Sequence, residues 1–545
     1  MKRRLMIVAT VLLSIRLLVS FILPAWNTVS TDFPNYYTAA WALVHGEDMR
    51  SLYDPVDFQE AAVRAGIQDQ AVLFNYFPPL SSAVMAPIAV FLPLTALRMW
   101  IVVNLFALAL LVWLVSKHSG LDLLQATLLA LLAGDALGNN FLFGQIYIPL
   151  AVLLLLGFVW PEFHPKASGF VLALATAIKV FPGVFLIYMI CQKRWRALAW
   201  TGIWFVALAG IGVFVVGAEP HRIFLVEVVP RMMRGEIQDP YNIGWNTFQA
   251  LLRRSLVPEP GWNPNPLVDA PAVFFFLRVA VNLMVLLVSG LALRDRRTSP
   301  LLAFIVLFLA VSLISPSQSS YHYVLLIPGV ALLAAEPRKA VRAGAILGFA
   351  LICSSTLGFA SRLDSGWLSL FAFPRAYLVL ALWLGLMWKI RPRVPWPAIA
   401  AIAVFSAFAS YSEMRRWRAD DVDGAVMAAP EQHGYIEVGP RFNSTGVEFK
   451  SMVASGWAAH SIARAGENVA ALPSGKRWMV YSTFERGNWD VAVRDLRTGE
   501  TRILTSSLAN DLMPVLSPDG REVFFASDRR RGYRFTAIFR MPLQR

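Results

Sequence analysis

Apolar runs of span length recur from Leu5 to Ala409, separated by short polar stretches, and beyond about Ser412 they give way to brief alternating segments. About 18 or more apolar residues cross a hydrocarbon core of ~30 Å. The pattern predicts about thirteen spans, near 5–23, 79–93, 96–116, 121–137, 145–160, 168–189, 197–217, 272–293, 299–315, 322–335, 340–360, 368–389 and 395–412. The fold class this implies is a polytopic α-helical membrane protein with a small all-β C-terminal domain. The opening "MKRRLMIVATVLLSIRLLVSFILPAW" has the basic head and apolar body of a signal peptide. Arg16 interrupts that body and no small-x-small site follows, so it reads as an uncleaved first span with a cytoplasmic N-terminus.

Basic clusters orient the spans. "KRWR" at 193–196, "RDRR" at 294–297, "EPRKAVR" at 336–342 and "KIRPR" at 389–393 alternate as cytoplasmic loops should. The stretch 79–160 fits less well, because 79–93 is short and "KHSG" at 117–120 falls on the wrong side; one re-entrant segment there, compensated by a break near Pro182, keeps the parity. The outer face then holds 24–78, 218–271, "SPSQSSYHY" at 315–323 and everything after about Ser412. Polar and aromatic residues gather on that face.

The tail changes character. "RWMVYSTF", "DVAVRDLRTGETRILT" and "PVLSPDGREVFFASDRR" read as strands joined by Thr-Gly and Pro-Asp-Gly turns. The division this suggests is a membrane domain over 1–412, a linker over 413–419 and a β domain over 420–545. "NDLMPVLSPDGREVFFASDRRRGYRFTAIFRM" resembles the repeats of TolB-type β-propellers. Propellers use four or more blades of ~40 residues, and two or three fit here, so the repeats either join blades of another chain or form an open sheet.

Composition agrees with the patterning. Of 545 residues 57% are hydrophobic and 15% charged, against ~45–50% and ~25% in soluble domains. The net charge of +14 reads as basic loops facing anionic lipid, not as a nucleic-acid surface. Cys191 and Cys353 lie in apolar surroundings and offer no disulfide framework or metal-spaced pair.

Candidate chemistry starts in "STDFPNYYTAAWALVHGEDMRSLYD" at 30–54. Asp32 suits a helix N-cap, yet it stands beside Tyr36, Tyr37, Trp41, Tyr53 and Asp54, a set of hydroxyl acceptors and flat ring faces suited to sugars. "FNYFPPL" at 74–80 adds Tyr76. Ionisable groups inside apolar runs cost ~2.5–3.5 kcal/mol or more unless paired or hydrated. Lys179 lies mid-span with Pro182 just after it, and His322 at the outer mouth of two spans; snorkelling and a helix-end position are their bland readings. Asp135 precedes "LGNNFLFGQIY", where Asn140 and Gln145 break a greasy run. In "RMMRGEIQDPYNIGWNTFQALLRR", Arg231, Arg234, Arg253 and Arg254 suit phosphate, and Trp245 and Asn246 suit a glycan. An interfacial amphipathic helix is the competing reading of that loop. No Walker, GxGxxG or HExxH motif appears, and the sequence calls for no cofactor and no metal.

Six pieces in order, "DFPNYYTAAWALVHGEDMRSLYD", "FNYFPPLSSAVMAPIAVFLPLTALRMWIVVN", "NNFLFGQIYIPLAVLLLL", "GFVLALATAIKVFPGVFLIYMICQKRWRA", "YNIGWNTFQALLRR" and "ISPSQSSYHYVLLIPG", resemble glycosyltransferase family 87 over about residues 5–410. The resemblance implies a GT-C-like membrane fold in the bacterial cytoplasmic (inner) membrane. It implies a mannosyltransferase that moves a hexose from a polyprenyl-phosphate donor to a lipid or glycan acceptor at the extracytoplasmic face, with inversion. Asp32 would be the general base; Lys179, His322 and loop arginines would hold the donor phosphate; Tyr36, Tyr37, Tyr76, Asn140, Gln145, Trp245 and Asn246 would meet sugar or acceptor. The chain departs from the family after Ser-Pro, where it keeps only His322 of a Trp and two His. Two other readings share parts of the pattern: a transporter or flippase of lipid-linked sugars, and a non-catalytic membrane anchor for the β domain.

The orientation is directly testable. Reporter fusions after Arg194, Arg297 and Arg418 are expected inside, inside and outside; a cytoplasmic signal at Arg418 would move the tail to the other side.

Overall fold

Proline fixes where many of the helices begin. Pro93, Pro165, Pro271, Pro300 and Pro374 each occupy the first helical position, where the missing N–H costs nothing and φ is already helical. In the computed structural model the described residues are 2–419 except 69, 75, 260–262, 264, 296–297 and 364–365, followed by 425–428, 437–443, 446–452, 477–484, 487–516, 520–530, 532 and 537–543. Residues 517–519 of the expected Pro-Asp-Gly turn lie outside them, as does Arg297.

The membrane domain is polytopic. Among the described residues five helices are long and apolar enough to cross a membrane: Arg3–Asn27, Pro93–Ser119, Trp195–Val216, Pro271–Ala292 and Trp396–Trp417. Two bent pairs, Gly134–Leu142 with Tyr147–Val159 (115°) and Gly366–Ala372 with Pro374–Ile390 (55°), raise the count to seven if each is one span. Five shorter apolar helices complete the bundle.

Several expected spans are therefore interrupted, each for a local reason. The segment 79–93 is a ten-residue 3-10 helix, Pro79–Ile88, with Pro87 inside, too short to span and consistent with a re-entrant element. The segment 121–137 breaks at Gly134, whose φ of +49° is left-handed. The segment 168–189 breaks between Ile178 and Phe181. Pro182 supplies the cause, because its ring would clash with the carbonyl four residues back, that of Ile178. The last helix runs on to Ala419, so residues 413–419 are helical, with Glu413 paired to Arg416 at 2.7 Å.

Pro300–Ile314 forms the centre of the bundle. It is buried from Ala303 to Leu313, as a helix apolar on every side must be. Outward-facing Val206, Phe214 and Phe405 sit on peripheral helices, where lipid replaces protein packing.

Among the described residues nine strands follow: β1 Ala425–Ala428, β2 Glu437–Asn443, β3 Gly446–Met452, β4 Trp478–Thr483, β5 Asp490–Asp495, β6 Thr501–Ile503, β7 Asp511–Leu516, β8 Glu522–Ser527 and β9 Ala537–Pro542. They make antiparallel sheets in the orders β1-β9-β8-β7, β2-β3 and β4-β5-β6. Val480, Val491, Val493, Val523, Phe525 and Phe539 form a shared core between two of them. Among the described residues the strands make small sheets and no closed ring of blades.

The tail and the polar loops meet on one face. Trp489 Nε1 donates to Asp54 Oδ1 at 3.3 Å, Arg231 pairs with Asp528 at 3.0 Å, and the Arg530 guanidinium lies 4.0 Å from the Trp417 ring centroid. Thr247 Oγ1 donates to the Pro316 carbonyl at 3.1 Å, tying the 218–271 loop to the Ser-Pro stretch.

One close packing contact gives a stability test. A Cβ on Gly329 would lie 2.2 Å from Ile305 Cβ and 3.0 Å from its Cα. Gly329→Ala should lower stability by about 1–3 kcal/mol through overpacking, read as a lower thermal midpoint in detergent. Gly344→Ala, with open space around the new Cβ, should leave that midpoint unchanged or raised.

Candidate functional site

The break after Ile178 leaves Lys179 in extended backbone, with φ −140° and ψ 139°. Its side chain points into the bundle and is 8% exposed. Four ring faces surround the ammonium: Phe77 at 3.9 Å from the centroid, Tyr36 and Tyr147 at 5.5 Å, and Tyr76 at 5.8 Å. Such faces attract a cation through their quadrupole. Among the described residues no carboxylate is paired with Lys179; Asp32 acts on it at longer range.

Asp32 occupies the N-cap position of Phe33–Val44, but its side chain makes no capping bond. Instead Gln145 Nε2 donates to Asp32 Oδ2 at 2.7 Å. Tyr36 donates to Gln145 Oε1 at 3.2 Å, which fixes the orientation of the amide. Burial pushes the Asp32 pKa above the ordinary carboxylate range, with Gln145, the Lys179 charge and Tyr321 pulling partly back.

His322 faces the same space. Nδ1 lies 3.1 Å from the Ser319 amide nitrogen and 3.0 Å from the Ser319 carbonyl oxygen, while Nε2 faces the Tyr147 hydroxyl, with its oxygen 2.7 Å away. Tyr321 stacks on the imidazole, with centroids 4.9 Å apart.

One motif holds both halves together. In "LGNNFLFGQIY" the Asn139 amide donates to Ser320 Oγ at 2.8 Å and Asn140 to the Tyr321 carbonyl at 3.0 Å. The chain then turns at Gly144, φ +61°, where a Cβ would sit 2.7 Å from Phe33 Cβ. Trp100 Nε1 donates to the Gly144 carbonyl at 3.0 Å. Gln145 and Tyr147 follow directly, so the motif reaches Asp32 on one side and His322 on the other.

A cavity of about 270 Å³ opens beside these groups; Asp32, Tyr36 and Asn140 are not among its lining residues and reach it through Gln145 and Tyr321. Tyr76, Gln145, Tyr147, Lys179, Tyr321 and His322 give it a polar end, and Val180, Val184, Val311 and Ile314 an apolar wall.

The other predicted residues fall elsewhere. Tyr37 donates to the Phe91 carbonyl at 2.8 Å, away from the cavity. Arg231 is bound to the tail. Arg253 donates to the Arg234 carbonyl at 2.9 Å and lies over Phe274 and Tyr241, and Arg254 donates to the Tyr241 carbonyl at 3.1 Å. Trp245 Nε1 donates to the Asp239 carbonyl at 2.7 Å. Asn246 bonds the Ala372 carbonyl and the Arg375 amide at 3.0 and 2.7 Å, fastening its loop to the Pro374 helix. None of the four arginines, nor Trp245 or Asn246, lines the cavity. Phe77, Tyr147 and Tyr321 do, and sequence reasoning missed them. Their signal was adjacency to Tyr76, Gln145 and His322, masked by the frequency of aromatic residues at membrane interfaces.

Residues 75–316, somewhat less than half of the chain, match the model of glycosyltransferase family 87. A polyprenol-phosphate-mannose-dependent alpha-(1-2)-phosphatidylinositol pentamannoside mannosyltransferase of Mycolicibacterium smegmatis is 25% identical over 260 residues, 47% of this chain and 58% of that protein. A polyprenol-phosphate-mannose-dependent alpha-(1-2)-phosphatidylinositol mannoside mannosyltransferase of Mycobacterium tuberculosis is 28% identical over 198 residues, 36% of this chain and 43% of that protein. The chain thus spans about half the length of the curated relatives it matches. Among solved structures, ArnT from Cupriavidus metallidurans bound to undecaprenyl phosphate aligns with a TM-score of 0.38 and 15% identity, over 76% of this chain and 79% of that one.

Proposed function

We propose that the protein is a GT-C-like integral membrane glycosyltransferase that moves a hexose, mannose, from a polyprenyl-phosphate donor to a lipid or glycan acceptor at the extracytoplasmic face of a bacterial cytoplasmic membrane. One observation carries the reading: the buried Lys179 ammonium, unpaired with any described carboxylate, borders the cavity. Burying a cation without a counter-charge is costly, and a donor phosphate supplies that charge. At an effective dielectric of ~20 a unit pair ~4 Å apart attracts by about 4 kcal/mol.

The chemistry follows from the arrangement. The acceptor hydroxyl oxygen attacks the anomeric carbon from the side of Asp32, which takes the proton. The bond to the phosphate oxygen breaks on the opposite side, inverting the centre, and polyprenyl phosphate leaves with the electron pair. Lys179 and the His322 imidazole stabilise the growing charge. A raised pKa makes Asp32 a better proton acceptor. Gln145 keeps its carboxylate aimed. The apolar wall takes the start of the prenyl chain. Arg234, Arg253 and Arg254 serve here behind the cavity.

Transfer from radiolabelled polyprenyl-phosphate mannose in membranes tests this. Asp32→Asn should lose about 10²–10⁴-fold in rate at unchanged protein level, whereas full activity would return Asp32 to a purely structural role. Gln145→Leu removes a bond that lowers the Asp32 pKa, so that pKa rises and the acid limb of kcat/KM should move to higher pH. A limb that stays in place would separate Gln145 from the base.

A further inference from the structure

The tail is fastened to the segment that lines the cavity. Arg231 is nearly inaccessible, at 1%, and divides its donors between two regions of the chain. Its Nε donates to the Glu236 carbonyl at 3.0 Å. Its other nitrogens reach the tail, Nη1 to the Leu508 carbonyl at 3.1 Å and Nη2 to Asp528 Oδ1 at 3.0 Å. Asp528 is held in turn by the Asn510 amide at 2.8 Å and side chain at 3.1 Å. Five residues beyond Arg231 the chain passes Glu236, and Gly235, Ile237 and Gln238 border the cavity opposite Lys179.

A second contact lands on the same segment. Gly532 adopts φ +96°, and a Cβ there would lie 2.4 Å from the Gln238 carbonyl carbon and 2.5 Å from its oxygen. Only glycine admits both the backbone conformation and that approach. Trp489, bonded to Asp54 in the first outer loop, ties the tail to the element that carries Asp32.

We propose that the C-terminal β region braces one wall of the site from behind, and that Arg231, Asp528 and Gly532 are positioning residues that hold Gly235–Gln238 against the cavity. Gln238, Ser315 and Ser317 then form a polar rim beneath the tail, and the tail sets how far that rim opens to a hydroxylated acceptor. This rests on the glycosyltransferase reading for what enters the rim, not for the wall itself. It also removes Arg231 from direct contact with the donor phosphate.

The test uses the full chain in detergent. Ser317→Cys in a Cys191→Ser background is labelled with a polar maleimide, and each further variant is checked by size-exclusion chromatography. Asp528→Asn, Arg231→Gln and Gly532→Ala should each raise the labelling rate about tenfold; the Arg231→Gln/Asp528→Asn double variant should match the single ones, as partners in one interaction do. Unchanged rates in monodisperse variants would overturn the wall, and additive effects of Arg231→Gln and Asp528→Asn would overturn the pairing. Should Arg231→Gln fail to fold, Trp489→Phe, which deletes the bond to Asp54 along with part of a buried ring, is expected to raise the rate by a smaller factor, and no rise would count against the proposal. Added undecaprenyl phosphate should slow labelling in the parent protein. If it does not while the variants still accelerate labelling, the donor reading falls and the wall stands.

Discussion

A buried ammonium held by ring faces is the constraint on which the rest of the site depends. Lys179 reaches that position only because Pro182 ends the helix at Ile178 and leaves one extended residue inside the bundle. Within an unbroken helix its side chain would follow the helix face. The break places it among Tyr36, Tyr76, Phe77 and Tyr147, which come from the Phe33–Val44 helix, the stretch before Pro79–Ile88 and the bent helix pair. The cage brings three distant parts of the chain to one point, and it leaves a positive charge facing a cavity.

Around that charge the groups are arranged by second contacts. Gln145 orients Asp32 and is oriented by Tyr36. Asn139 and Asn140 hold the turn that presents Tyr321 and His322. Gly144 lets the chain reverse against Phe33 so that one short motif serves both sides. The β region continues the same logic from above, through a buried ion pair whose side chains are 2% and 1% exposed. Ion pairs so deeply buried gain little net stability and favour one geometry over others, which fits a wall more than a tether.

Much of this was legible along the chain, and the misses have physical causes. Lys179, His322, Asn140 and Gln145 stood out because a polar group inside an apolar run is costly, Asp32 because of the tyrosines and acidic residues beside it, and the structure brings them together. Span boundaries were less legible, since mean hydropathy does not register a left-handed Gly134 or a 3-10 segment at Pro79–Ile88. Arg231 looked like a phosphate ligand by composition. Its partners, Leu508 and Asp528, lie 277 and 297 residues further along the chain, and nothing local reveals a pairing across that distance. Asn246 suggested a sugar contact, yet its left-handed backbone and bonds to Ala372 and Arg375 make it a loop fastener. Tyr147 and Tyr321 were passed over because a tyrosine near a membrane interface needs no explanation.

The measurement that bears most directly on the account is the affinity of the purified full chain for undecaprenyl phosphate, compared between the wild type and Lys179→Met. Methionine keeps the length and apolar stem of the side chain and removes the charge. A donor phosphate seated on that ammonium predicts at least about a tenfold loss, the equivalent of ~1.4 kcal/mol, in a protein that elutes and melts as the wild type does. Equal affinity in the two proteins would contradict it, and would leave the cavity without its anion.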